Sequence, residues 1–163
     1  MRVFEEEQRF TQTWLILLLS ISAIISIIII TDGFFKGNIP LNKYVSHIIL
    51  VLIACGFIFI FKLKTRIDHI GIHYQFFPFH LKMKTILWEN IKQAKTRKYN
   101  ALTEYGGWGL KSGSIFGKRN GLAINVSGDI GIQLILKTDK KILIGTQKQN
   151  DANIVIAKYS NKI

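Results

Sequence analysis

The chain has 163 residues, 48% of them hydrophobic, with 13 Gly, 2 Pro, one Cys and a formal net charge of +12. Scarce Pro and abundant Ile exclude collagen-like and disordered classes, and a single Cys excludes a disulfide framework. The placement of charge excludes a soluble single domain, because no Asp, Glu, Lys or Arg lies between Arg9 and Asp32 or between Lys43 and Lys62.

Residues 1–12 read as a polar N-terminal tail. The first apolar run, Trp14 to Ile30, is WLILLLSISAIISIIII, and the second, Tyr44 to Phe61, is interrupted only by Ser46 and His47 at its entrance. About 20 apolar residues span a hydrocarbon core, so both runs are expected to be transmembrane helices, over 13–31 and 44–61. A cleavable signal peptide fits the first run poorly. Glu5, Glu6 and Glu7 precede it, and its exit, Ile-Thr-Asp-Gly, has no small-x-small site. The connection 32–43 contains Gly33, Gly37 and Pro40 and is expected outside the membrane as the turn of a helical hairpin. Helices in lipid associate through close backbone approach, so the small residues Ser22, Ala23 and Ser26 are expected to face Ala54, Cys55 and Gly56. Cys55 reads as a small buried thiol. With no Asp, Glu, Lys or Arg inside either span, an ion or proton pathway has no carrier there.

Lys and Arg near helix ends set orientation. Lys36 and Lys43 flank the connection, whereas Arg2 and Arg9 precede the first helix and Lys62, Lys64 and Arg66 follow the second. Five against two predicts both termini in the cytoplasm. Residues 1–61 sum to zero charge, so all of the +12 belongs to residues 62–163, where 18 Lys or Arg stand against 6 Asp or Glu. Each basic residue held near an anionic leaflet contributes about 1 kcal/mol, decaying within a Debye length of about 8 Å. Lys62, Lys64 and Arg66 are therefore candidate leaflet contacts, weighed against a purely topogenic role.

Residues 62–163 have the alternation of half-buried strands. Ile70, Ile72, Tyr74 and Phe76 are expected on one face, with His69, Gly71, His73 and Gln75 on the other. Lys84–Trp88 and Ile91–Tyr99 read as two strands split by Glu89-Asn90. Leu122, Ile124 and Val126 alternate with Ala123 and Asn125; Ile130 to Leu136 follow Ser127-Gly128-Asp129; Ile142 and Ile144 follow Thr138-Asp139-Lys140. These two turns predict a three-stranded meander. At the end, Ala152, Val155, Ile156 and Tyr159 fall at i, i+3, i+4 and i+7, which predicts a closing amphipathic helix capped by Asn150 or Asp151. The expected class is α+β: a two-helix hairpin, then a mainly antiparallel bent sheet or partly open barrel of six or seven strands, closed by the helix.

Several segments carry a resemblance: Phe4-Glu5-Glu6-Glu7-Gln8-Arg9-Phe10 before Gln12 and Trp14; Ile86-Leu87-Trp88-Glu89-Asn90-Ile91; Glu104-Tyr105-Gly106-Gly107-Trp108-Gly109; Gly131-Ile132-Gln133-Leu134; and Leu143-Ile144-Gly145-Thr146-Gln147. Over nearly its whole length the chain resembles small bacterial membrane proteins that pair a two-helix anchor with a pleckstrin-homology-like (PH-like) domain. That resemblance implies a fold and a mode of anchoring, in the bacterial cytoplasmic membrane, without a biochemical activity. Eukaryotic relatives that bind phosphoinositides use several basic residues around the first hairpin. Lys82 and Lys84 are the nearest approach here, and without a following Arg they do not build a specific headgroup pocket; they join the candidate leaflet contacts.

Six glycines between Gly106 and Gly121 match neither G-x-G-x-x-G nor the P-loop pattern, and read as a flexible or tightly turned loop. On one strand His69 and His73 would stand about 13 Å apart, too far to share a metal. No nucleophile, base and orienting group assemble, so no catalytic residue, metal or cofactor is expected. A pI of 9.9 would suit nucleic acid, yet a membrane anchor and the lack of a nucleic-acid motif argue against it. The expected function is a non-enzymatic, membrane-anchored binding or scaffold module for a protein partner or another copy of itself. The alternative is a peripheral sensor of anionic lipid headgroups. Tyr105 and Trp108, set among three glycines, are the candidate partner contact, with Trp108 folding back over the core as the competing reading.

Overall fold

The computed structural model describes residues 3–115 and 118–163, with side chains described outside 112–120. It divides into two compact units, residues 10–61 and residues 1–9 together with 62–163.

The first unit is a pair of helices, α1 (Thr13–Phe35) and α2 (Leu41–Phe57), the latter extended by a 3-10 turn over Ile58–Ile60. Both helices are long and apolar enough to cross a membrane. Helix α1 runs past the expected end at residue 31. Lys36 Nζ meets Asp32 at 2.7 Å across one turn and the Lys36 amide donates to the Asp32 carbonyl, so the polar end of the run is still helical. Residues 36–40 are left as the connection, with Gly37 at φ +73°. Half-buried positions include Leu15, Leu19, Ala23, Ser26, Ile27, Ile30, Thr31 and Phe34 on α1, Tyr44, Ile48, Val51 and Cys55 on α2, and Ile58 in the turn after it. Their steps of three and four keep them on one helix face. Ala23, Ser26 and Cys55 thus lie on the seam, Cys55 Sγ pointing at the Leu19 carbonyl from 3.9 Å. Ser22, Ala54 and Gly56 are exposed, which corrects the expected seam: β-branched and aromatic residues carry much of the contact.

The second unit contains two sheets and two helices. Its first sheet is β1 (Phe4–Arg9), β2 (Lys62–Ile67), β3 (Gly71–Phe77) and β4 (Lys84–Leu87), antiparallel in the order β1-β2-β3-β4. Residues 4–9, expected within a tail, are therefore a strand of this unit. Phe4, Glu6 and Gln8 face inward. The Glu6 carboxylate accepts hydrogen bonds from Thr146 Oγ1 (2.6 Å) and the Gln147 amide (2.8 Å), and Gln8 Nε2 donates to the Gly145 carbonyl (2.8 Å). A carboxylate inside a fold persists only with such partners. In β3 the inward set is Ile72, Tyr74 and Phe76; Ile70 precedes the strand and is 48% exposed, a correction to the expected face. Gly71 is required where β3 meets β4, because a Cβ there would lie 2.2 Å from the Ile86 carbonyl oxygen.

A 3-10 turn over Trp88–Asn90 leads into the second sheet, built from β5 (Ile91–Lys98), β6 (Gly109–Ile115), β7 (Lys118–Asn125), β8 (Ile130–Leu136) and β9 (Lys141–Gly145), with α3 (Ala101–Tyr105) between β5 and β6. The order is β5-β8-β9-β7-β6. The expected meander is corrected: β8 and β9 form a hairpin, but β7 pairs with β9, in parallel, and not with β8. Flanked on both sides and covered on both faces, β7 buries Ala123, Ile124 and Asn125 in succession, so the expected alternation is lost. Gly121, at φ +86°, permits the β7–β9 approach, since a Cβ would sit 2.2 Å from the Lys141 carbonyl oxygen. The glycine-rich stretch is not a loop: most of it forms the β6–β7 pair, and Gly117 lies outside the described residues. Neither sheet closes into a barrel among the described residues.

The chain ends in α4 (Gln149–Lys158), which buries Ala152, Val155 and Ile156. It begins earlier than expected, so Asn150 and Asp151 lie in its first turn and neither caps it. Thr146 Oγ1 accepts from the Lys148 amide just ahead of it (3.1 Å). Trp88, 2% exposed, packs against Tyr159 at 5.5 Å between ring centroids, and its indole N–H donates to the Asp68 carbonyl (2.8 Å).

Candidate functional site

The outer face of the first sheet is organised by strand register into three rows: Arg9, Lys62 and Phe77; Glu7, Lys64 and Gln75; Glu5, Arg66, His73 and Thr85. Three of the candidate leaflet contacts thus stand beside carboxylates. Glu7 lies 3.7 Å from Lys62, 3.5 Å from Lys64 and 2.9 Å from Arg9. Arg66 reaches Glu5 at 3.6 Å and Asp68 at 3.1 Å. The hydrogen bond from Arg9, with the charges of Lys62, Arg9 and Lys64, outweighs partial desolvation and lowers the Glu7 pKa. This face is a lattice of alternating charge, and the potential expected from three consecutive cations is largely cancelled.

Asp68 anchors the β2–β3 turn. Burial pushes its carboxyl up, but hydrogen bonds from His73 and from the Ile70 and Gly71 amides prevail and hold it at about 2. His73 bridges Asp68 (Nε2, 3.0 Å) and Thr85 Oγ1 (Nδ1, 2.8 Å), tying β4 to the turn. The sequence did not suggest this chain of contacts, because Thr85 comes alongside only through the β3–β4 register. With Asp68 already occupied by two amides and Arg66, the relay serves the turn. Among the described residues no group of three or more His, Cys, Asp or Glu is placed to hold a metal ion.

Lys82 and Lys84 occupy different surroundings. Both are exposed, Lys82 on the turn between β3 and β4 and Lys84 as the first residue of β4, near Phe79 (63% exposed), Leu81 (77%) and Met83 (42%). The turn is held from within. The His80 amide donates to the Phe76 carbonyl (2.8 Å), Gln75 Nε2 donates to the carbonyls of His80 and Leu81 (3.2 and 2.9 Å), and Phe79 stacks on Phe76. His80 is buried, and desolvation followed by the charge of Lys84 lowers its pKa.

The candidate aromatic contact is divided. Helix α3 is capped by Asn100, whose Oδ1 accepts from the Thr103 amide (2.9 Å), and ends at Gly106 with φ +75°. This geometry turns Tyr105 inward, to 4% exposure, among Tyr99, Ala101, Ala123 and Leu143, with Arg97 Nη2 at 3.3 Å from its hydroxyl. Tyr105 is therefore core and not surface. Trp108 packs on the same cluster, half-buried, its indole N–H directed at the Gly128 carbonyl (3.4 Å).

One surface feature was not anticipated. Strand β1 is at the edge of its sheet, and a groove of about 410 Å³ runs between it and α4, lined by Val3, Phe4, Glu5, Lys148, Asp151 and Ile154. Val3 and Ile154 are 41% and 49% exposed. Reading residues 4–9 as a tail hid this edge; the alternation of Phe4, Glu6 and Gln8 with Glu5, Glu7 and Arg9 was its only signal. No protein-family model matches the chain, and no match to it was found among curated proteins.

Proposed function

We propose that the chain is a non-enzymatic, membrane-anchored binding module, in which α1 and α2 span a bacterial cytoplasmic membrane and a basic, PH-like domain on the cytoplasmic side receives a protein partner. The observation that carries this reading is the edge position of β1 beside the α4 groove, where Lys148 Nζ reaches the Glu5 carbonyl at 3.5 Å. An edge strand offers unpaired backbone N–H and C=O groups to an extended segment, and flanking apolar positions such as Val3 and Ile154 select its side chains. The alternative, a headgroup sensor built on Lys62, Lys64 and Arg66, is disfavoured by Glu5, Glu7 and Asp68 beside them.

Purification of the full chain from its native membranes in mild detergent tests the reading. A partner seated on the β1 edge is expected to stay bound at high salt and to be lost with Ile154→Asp, while the melting temperature holds. Recovery undiminished by Ile154→Asp, or no co-purifying protein at all, overturns it. Topology is tested separately in a Cys55→Ala background. An impermeant thiol reagent on intact cells is expected to label Gly37→Cys and to spare Ser160→Cys.

A further inference from the structure

We propose that the β3–β4 turn is a second membrane contact: Phe79 and Leu81 insert into the interfacial layer of the leaflet from which the helices emerge, with Lys82 in the turn and Lys84 at the start of β4 on its headgroups. The proposal rests on the membrane-anchored reading and adds to it a contact made by the β domain itself.

Three observations converge on this turn. The first is composition against burial. Phe79 and Leu81 are 63% and 77% exposed, flanking His80 and followed by Lys82, and Phe77 beside them is 37% exposed, whereas Met83 turns to a groove it shares with Glu5, Glu7, Lys64 and Arg66. Large apolar side chains grouped on one projecting turn mark a surface that is covered in use. Cations interleaved with them suit the layer where acyl chains meet anionic headgroups.

The second is topology. Lys62 pairs with Phe77 and with Arg9, so the turn 78–83 leaves the first sheet at the end where β1 terminates and β2 begins. Those are the positions at which the chain passes to and from the apolar helices: α1 starts at Thr13, and the turn after α2 ends at Ile60. The exposed apolar tip therefore belongs to the tethered end of the sheet. The β2–β3 turn, with Asp68 and His69, is at the other end and carries no comparable group beyond Ile70.

The third is preorganisation. Gln75 and His80 fix the turn by hydrogen bonds to its backbone, so the tip is presented without an ordering step at the moment of contact. A lipid surface is the occupant favoured over a protein, because this end of the sheet is joined to the apolar helices by only residues 10–12 and 61, and residues 77–84 carry Lys82 and Lys84 and no acidic residue. Lys82 and Lys84 form none of the ion pairs that engage Lys62, Lys64 and Arg66.

The full chain in a Cys55→Ala background, reconstituted into phosphatidylcholine vesicles with or without phosphatidylglycerol, provides the test. An environment-sensitive fluorophore is placed in turn at Leu81→Cys, His69→Cys and Ile53→Cys. The Ile53 label is expected to be quenched by a nitroxide deep in the acyl chains, which reports the anchor. The Leu81 label is expected to be quenched by a nitroxide near the headgroups and protected from iodide, more strongly with phosphatidylglycerol, while the His69 label stays open to iodide. Neutralising both lysines, Lys82→Gln with Lys84→Gln, is expected to weaken the Leu81 contact in phosphatidylglycerol vesicles about fivefold per charge removed. Iodide access at Leu81 equal to that at His69, with Ile53 still quenched, overturns the tip contact and leaves the anchor standing. An unquenched Ile53 label overturns both, and a double lysine variant with unchanged quenching overturns the role given to the charges.

Discussion

Two groups of cations sit at the tethered end of the first sheet, and their surroundings differ. Lys62 and Lys64, like Arg66 further along β2, have the carboxylates of β1 nearby across a strand pair, whereas Lys82 in the β3–β4 turn and Lys84 at the start of β4 follow the exposed Phe79 and Leu81. Equal charges in sequence are unequal in availability. Charge pairs exposed to solvent contribute little to stability but cancel one another's field, and cations interleaved with apolar side chains keep theirs. The strand that makes the difference is β1, which precedes the helical segment in the chain.

The most severe way to break the comparison is to remove β1. A chain lacking residues 1–9 loses Phe4 from the core and leaves Thr146 and the Gln147 amide without Glu6. We expect no cooperative melting of the β domain by near-ultraviolet circular dichroism, and the same for a fragment starting at residue 64. A cooperative transition in either would show β1 to be an accessory strand.

Next in size is Trp88→Ala, which empties a buried site against Tyr159 and frees the Asp68 carbonyl. Large-to-small aromatic changes cost about 3 to 5 kcal/mol, against ~5 to 15 kcal/mol for a whole domain. A drop in melting temperature of well over ten degrees is expected for the full chain in detergent, at about 4 to 8 °C per kcal/mol. A shift of a degree or two would place Trp88 outside the working core.

Acidification sharpens the comparison by switching off one carboxylate. Asp68 is held at about 2 in the fold against 3.8 for a free aspartate, so its contribution is complete above the unfolded value and is lost as pH falls between the two. His80 acts at higher pH with the same sign. Its folded pKa is lowered, so protonation of the unfolded chain draws stability away as pH drops through the ordinary histidine range. The expected melting temperature therefore declines in two steps on acidification, and His80→Gln is expected to flatten the upper one. A single step left unaltered by His80→Gln would contradict the buried, neutral assignment.

The smallest stability effect is expected from Glu5→Gln with Glu7→Gln, about 1 kcal/mol or less because these pairs are exposed. In the full chain reconstituted into phosphatidylglycerol vesicles, the double change should nevertheless raise salt-sensitive quenching of a fluorophore at Phe77→Cys by a nitroxide near the headgroups, by releasing Lys62, Lys64 and Arg66. Quenching identical to the parent would mean that the β1 carboxylates do not mask the row.

The two apolar helices, the strands through 72–76, 84–87 and 130–136, the break at Glu89-Asn90 (which the structure extends to Trp88) and the closing helix were all legible in the sequence. Each depends on a run or a period shorter than one element, which local burial imposes wherever it occurs. The inward set Ile72, Tyr74 and Phe76 and the helical set Ala152, Val155 and Ile156 are such patterns. What only the tertiary structure decided is which strands became neighbours. The carboxylates at 5–7 looked like a solvated tail because their partners, Lys64, Arg66, Thr146 and Gln147, are 57 to 141 residues away in the chain. The parallel β7–β9 pair buries Asn125 beside Ile124 where alternation predicts a solvent face, and Tyr105 turns inward because the cap at Asn100 and the left-handed Gly106 aim it there. Periodicity reports how an element meets its surroundings, but pairing between distant strands is set by the joint packing of the whole unit, so the fate of an individual charge or aromatic ring follows from its neighbours across the sheet.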